Sequence, residues 1–182
     1  MQDEVIISGF GGQGALFAGQ LIAYAGMEEG KHVTWIPSYG PEMRGGTAHC
    51  TVVVSDEPVG SPIVRNPQAA IVLNRPSMDK YEPLVRPGGV LVVNSSLIHR
   101  QATRDDITII LIPANDIAYE LGDVKMANMA LLGALLAARP IVALESIERA
   151  LDEHIPSRRR HIIEPNKKVL RRGAELAQKQ LK

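Results

Sequence analysis

Short runs rich in β-branched residues alternate along the chain with longer stretches of helical period. Residues 5–7 read as a buried strand, and 15 to about 29 as a helix that is apolar almost all round and closed by Gly30. Residues 32–36 predict a second strand stopped by Pro37, and 47–54 form the most β-branched run. Residues 69–73, 90–93 and 107–112 predict three more strands. Between the first two of these, SMDKYEPLV predicts a short helix with Ser77 as its N-cap. Helices are then expected at 116–121, 127–138, 144–154 and from Pro165 to about 180, the last with an apolar stripe of Leu170, Ala174, Ala177 and Leu181. Strands alternating with helices predict a single three-layer α/β domain over residues 1–182, a Rossmann-like, largely parallel sheet with helices on both faces. The apolar helices at 15–29 and 127–138 leave two readings open. Either they expose a face that drives association, or they are core helices on opposite faces of the sheet.

Composition narrows the function. The 45% hydrophobic and 22% charged content is ordinary for a globular protein. A formal net charge of zero supplies no global field toward nucleic acid or a membrane, and 4% aromatics makes a poor base-stacking surface. No apolar run approaches the roughly 20 residues of a membrane span, and MQDEV lacks the basic and apolar parts of a leader. The expected localisation is cytoplasmic. The one cysteine, Cys50, cannot form an intrachain disulfide or a four-cysteine metal centre. Its setting, AHCTVVV, predicts a small buried side chain rather than a catalytic thiol. SRRRH at 157–161 is expected in a loop, as a solvated run or as a contact for an acidic partner or a ligand phosphate.

Two loops carry candidate chemistry. SGFGGQG, residues 8–14, places Gly9, Gly11 and Gly14 in the G-x-G-x-x-G spacing between a strand and a helix. Glycines allow close backbone approach, and the helix N-terminus offers free amides to an anion. A dinucleotide site would also need an acid about 20 residues on, where the chain reads TWIPSYG. The turn is therefore read as structural, or as a phosphate- or partner-facing loop, before it is read as an NAD or FAD site. SYGPEMRGG, residues 38–46, sets Tyr39, Glu42 and Arg44 on a glycine-rich loop. If the first two strands are parallel neighbours, both loops lie side by side. Arg44 then either grips a carboxylate or phosphate or braces the loop against Glu42.

Taken together, GFGGQG and YGPEMRGG resemble the gamma subunit of the 2-oxoacid:ferredoxin oxidoreductases. SDEPVGSPIV, PGGVLVVNSS, IPANDIAYELG, NMALLGALLA and EPNKKVLRRG extend the resemblance in order over essentially the whole chain, although Lys168 stands where a small residue is usual. YGPEMRGGTA looks more like the 2-oxoglutarate or branched-chain members than the pyruvate ones.

The resemblance implies an enzyme complex that oxidatively decarboxylates a 2-oxoacid, passes the acyl group to coenzyme A and reduces ferredoxin. Thiamine diphosphate with magnesium and iron–sulfur clusters would reside on partner alpha and beta subunits, often with a ferredoxin-like delta subunit. This chain has no GDG…NN thiamine signature and too few cysteines for a cluster. No catalytic residue, metal ligand or cofactor of its own is expected. It would help enclose the active site and receive CoA at the subunit interface. Gly11, Gly12, Gln13 and Gly14 would give backbone contacts to the CoA phosphates. Arg44 would contact either CoA or a partner carboxylate, and Tyr39 and Glu42 would order the interface loop. The alternatives are a stand-alone NAD- or FAD-binding domain, a scaffold that touches no cofactor, and an indolepyruvate oxidoreductase subunit.

Overall fold

The computed structural model describes residues 1–38 and 47–182. Six strands form one sheet: β1 (Gln2–Phe10), β2 (His32–Ser38), β3 (Thr47–Ser55), β4 (Ala69–Val72), β5 (Val90–Asn94) and β6 (Thr108–Ile112), in the order β2-β3-β1-β4-β5-β6. β1, β4, β5 and β6 pair in parallel, and β3 alone runs against its neighbours β1 and β2. The expected parallel pairing of the first two strands is thus corrected. β2 and β3 form a hairpin, and β3 occupies the place beside β1. Pro37 does not stop β2, which continues to Ser38. Proline is tolerated there because β2 is an edge strand.

The helices are α1 (Ala15–Glu28), α2 (Arg75–Tyr81), α3 (Ala114–Leu121), α4 (Ala127–Ala138), α5 (Leu144–His154) and α6 (Ile163–Gln180). Strand alternation divides the core. Val5, Ile7, Val52, Ile71, Val92 and Ile110 join α1, α4, α5 and α6 on one face. Ile6, Ala70, Val72, Leu91 and Val93 meet Met78 and Tyr81 of α2 on the other. Helices 15–28 and 127–138 therefore share one face rather than opposite ones. α4 is buried from Ala127 to Leu136, so it also offers no free apolar face for association.

Several boundaries differ for local reasons. The cap of α2 is Asn74, whose side chain accepts from the Ser77 amide, not Ser77 itself. The Ser77 hydroxyl is inside the helix and bonds Ser8 Oγ at 2.9 Å. SRRRH is not a loop but part of a 3-10 turn, Ser157–Ile162, that runs straight into α6. Of the stripe foreseen on α6, Leu170, Ala174 and Ala177 are buried and Leu181 is exposed.

α4 and α6 touch backbone to backbone. A Cβ on Gly133 would overlap the Leu170 carbonyl, and one on Gly173 would overlap the Ala130 carbonyl. Gly133→Ala should therefore cost about 3 kcal/mol or prevent folding. Gly60→Ala, whose Cβ would meet nothing within 4 Å, should change stability by no more than about 0.5 kcal/mol in the same urea titration.

Beneath α2, the buried Glu82 takes an ion pair from Arg100 at 2.7 Å and a hydrogen bond from the Thr103 amide. Burial alone would raise its pKa, but the Thr103 and Arg100 contacts together hold it below the ordinary carboxylate value. A depressed folded-state pKa stabilises the fold above the unfolded value of about 4.3 and loses that contribution as pH falls through the folded value. Glu82→Gln should destabilise by about 3 kcal/mol at pH 7. Its difference from the parent should shrink steadily as urea titrations are carried into acid.

Candidate functional site

The connection from β1 to α1 lies at the point where the sheet parts its helices. α1, after β1, goes to one face, and α2, after the neighbouring β4, goes to the other. Such a switch point leaves a crevice at the carboxyl ends of the strands. The turn Gly11–Gly14 stands at this crevice. Gly12 and Gly14 have φ of 92° and 78°, a left-handed backbone that glycine adopts without strain. Gly14 is the residue before α1, and no side chain among the described residues caps that helix. Its first amides are thus available to an anion, with the positive end of the helix dipole behind them.

Amide side chains hold the turn in place. Gln13 Oε1 accepts from the Phe10 amide at 2.6 Å and from Asn74 Nδ2 at 3.2 Å. Asn94 Nδ2 donates to Leu73 O at 3.2 Å and to Asn115 Oδ1 at 2.8 Å. From the other side, Asn128 Nδ2 donates to Gly14 O at 3.0 Å. Gln13, expected among the ligand contacts, braces the loop through its side chain.

Two cavities flank the turn and share Gly12 and Lys125. The smaller, about 160 Å³, lies over the strand ends between Gln13, Leu73 and Asn115. The larger, about 520 Å³, is walled by Gly14, Asn128, Arg159 and His161 as well. Asp123 also lines it, but its carboxylate accepts from the Lys125 amide at 2.9 Å. The wall therefore brings together lysine, arginine and histidine around a helix N-terminus.

Tyr39, Glu42 and Arg44 lie outside the described residues. Their flanks are placed: Ser38 pairs with His49, and Thr47 pairs with Phe10 at the end of β1. The described ends Ser38 and Thr47 thus belong to the antiparallel pair β2–β3 rather than to adjacent parallel strands. His49 of β3 tilts against Tyr81 at 5.8 Å between ring centroids. Burial, then Lys80, holds its pKa below the ordinary histidine value, which favours the neutral ring.

The other reactive groups are accounted for without chemistry. Cys50 is fully buried, and burial pushes its thiol up to about 12, so it presents no thiolate nucleophile. Among the described residues, Glu28, Glu153 and His154 bring ligand atoms within 4.8 Å of one another on an exposed surface. There His154 stacks on Tyr24 at 3.6 Å and faces Glu28 at 3.7 Å, which a helix-to-helix contact explains. The sheet order also removes the dinucleotide reading. The ribose-binding acid of such folds ends a parallel strand beside β1, whereas here antiparallel β3 takes that place and His32–Ser38 contains no acid.

Sequence reasoning missed Lys125 and Asn128. Lys125 sits in no quoted motif and Asn128 only opens the apolar run NMALLGALLA, so only the fold brings them against the glycines. Arg159 and His161 were visible as a basic cluster, with a phosphate contact among the readings.

Comparison with known proteins gives a consistent answer. A family model described as pyruvate ferredoxin/flavodoxin oxidoreductase matches residues 4–176. The ketoisovalerate oxidoreductase subunit VorA of Methanothermobacter marburgensis is 39% identical over 178 residues. That match covers 98% of this chain, which spans only 37% of the relative's length. The 2-oxoglutarate synthase subunit KorC of Methanocaldococcus jannaschii is 37% identical over 161 residues, 86% of this chain and 85% of that one. The crystal structure of a keto/oxoacid ferredoxin oxidoreductase gamma subunit from Geobacter sulfurreducens superposes with a TM-score of 0.82 at 31% identity, covering 96% of this chain and 98% of that one.

Replacing each turn glycine separates strain from collision. Gly12→Ala, with open space around its Cβ, should cost only about 1–2 kcal/mol of backbone strain. Gly14→Ala adds a collision with the Asn128 amide, whose Cγ would lie 2.9 Å away. It should lower the melting temperature further than Gly12→Ala in side-by-side calorimetry.

Proposed function

This chain belongs to the pyruvate ferredoxin/flavodoxin oxidoreductase family, and on that premise we propose that it is the gamma component of a thiamine diphosphate-dependent 2-oxoacid:ferredoxin oxidoreductase. The complex would convert a 2-oxoacid, CoA and two oxidised ferredoxins into acyl-CoA, CO₂, a proton and two reduced ferredoxins. The branched-chain and 2-oxoglutarate acids fit best, since VorA is named for ketoisovalerate and KorC for 2-oxoglutarate. Assembly would be with alpha and beta subunits, in the cytoplasm. No helix among the described residues is long and apolar enough to cross a membrane.

The residues present do not fit the redox groups of that reaction. A cubane needs four thiolates, and the chain has the one buried Cys50. The clusters are accordingly assigned to partner subunits, and thiamine diphosphate with them because the chain has no GDG…NN signature. What this chain supplies is an anion-binding wall. One observation carries the reading: an uncapped helix N-terminus behind two left-handed glycines, open to a cavity walled by Lys125, Arg159 and His161. In this role the amides after Gly11, Gly12 and Gly14 and the Lys125 ammonium hold CoA phosphates. Their grip fixes where the thiol arm can reach. Arg44, Tyr39 and Glu42, on the segment entering beside Phe10, extend the wall toward the partner.

The test uses the complex reconstituted from all its subunits. Lys125→Ala and Arg44→Ala should each raise the KM for CoA about tenfold, the loss of one charged hydrogen bond, and leave the KM for the oxoacid unchanged. Unchanged CoA KM and unchanged assembly in both variants would overturn the assignment. A complex that needs this chain for activity while its CoA affinity ignores both residues would instead make the chain a scaffold.

A further inference from the structure

α4 is apolar throughout except for Asn128 in its first turn. Asn128 is only 4% exposed, and a buried asparagine in that helix needs a reason. Half of its hydrogen-bonding capacity has one: Nδ2 donates to Gly14 O. That bond also fixes the amide's orientation, because the flipped rotamer would set two oxygens against each other. Oδ1 is then left buried without a partner among the described residues. A buried unsatisfied acceptor costs about 1–3 kcal/mol. Asn128 is also part of the wall of the 520 Å³ cavity, beside Gly12, Gly14 and Lys125. The residue that carries the orphaned acceptor thus borders the glycine turn, beside a cavity large enough for more than a solvent molecule.

We infer that Asn128 Oδ1 accepts a hydrogen bond from an N–H or O–H of the bound ligand, whose anionic group rests on the amides after Gly12 and Gly14. Asn128 then has two tasks. Its Nδ2 holds the turn, and its Oδ1 selects a phosphate ester bearing an amide or hydroxyl over a bare phosphate. Lys125, Arg159 and His161 attract any anion and cannot make that distinction, since all three present donors when charged. This selectivity rests on the reading of the turn as a CoA site, because CoA carries both phosphates and amide N–H groups.

The two tasks are separable with two probes on the reconstituted complex, CoA and inorganic pyrophosphate, which has no N–H to give. In Asn128→Ala, the dissociation constant for CoA by calorimetry should rise about tenfold. The inhibition constant of pyrophosphate against CoA, which reports only the loosened turn, should rise by no more than about a third as much. Equal weakening of both probes would mean that Asn128 only holds the turn, and would overturn the inference. Unchanged binding of both would mean that solvent takes the acceptor, and would overturn it equally. If the parent complex binds neither probe at this turn, the CoA reading itself fails, and the inference with it. Asn128→Ser, a second small substitution with the same readouts, keeps the test available if Asn128→Ala does not assemble.

Discussion

The helix α4 has no exposed face, and that constraint organises the rest of the molecule. Ten consecutive residues, Ala127–Leu136, are buried. One side must therefore meet the sheet, and the opposite side must be covered by another element. α6 does this at backbone contact, which is why Gly133 and Gly173 sit opposite the carbonyls of Leu170 and Ala130. With both sides fixed, α4 has one axial position. That position delivers Asn128 to Gly14, so the seating of a core helix and the shape of the glycine turn are one structural problem. The close packing of interiors makes such a coupling stiff, because there is no slack for either partner to move.

The reversed strand is the second determinant. By inserting between β2 and β1, β3 sets Thr47 opposite Phe10 without requiring β2 to neighbour β1. The same insertion removes the strand end where a dinucleotide ribose would be held. A glycine turn with the spacing of a nucleotide fingerprint is thus combined with a sheet that cannot complete the fingerprint. Only the generic part of the motif survives: close backbone approach and a helix N-terminus facing an anion.

Much of this was legible in the chain. Period and β-branching marked all six strands and the long helices, and the bounds of α4 and α5 agree with their patterns, because both are apolar or amphipathic runs ended by proline or a β-region residue. Strand partnering was not legible, since a run such as TVVV fits a parallel or antiparallel neighbour equally well. The same limit hid that 15–28 and 127–138 share one face of the sheet, because a helix apolar all round does not say which layer covers it. The α2 cap was misassigned because Asn74 and Ser77 are both good caps, and only backbone conformation distinguishes them. The glycine turn was visible as a candidate site. Asn128 reaches it from 114 residues along the chain, and Lys125 likewise arrives by tertiary contact alone.

The edges of the sheet bear on how such a chain could join partners. β6 is an edge strand, yet Gln180 closes it at Leu111: its Oε1 accepts from the Leu111 amide at 3.0 Å, and its Nε2 donates to the Leu111 carbonyl at 2.8 Å. An α6 side chain thus takes the place of a missing strand. β2, the opposite edge, carries Pro37, which has no N–H to offer a further strand. Extending the sheet is therefore the unfavourable way to dock. Exposed apolar side chains remain at the carboxyl end instead, on Phe10 at the end of the first strand, Leu97 after the fifth, and Val124 on the smaller cavity's wall. A subunit interface formed there would cover apolar surface and seal the glycine turn in one step. Excluding water from that turn strengthens every charged contact within it. An interface on either blocked edge would leave both the apolar surface and the turn open to water.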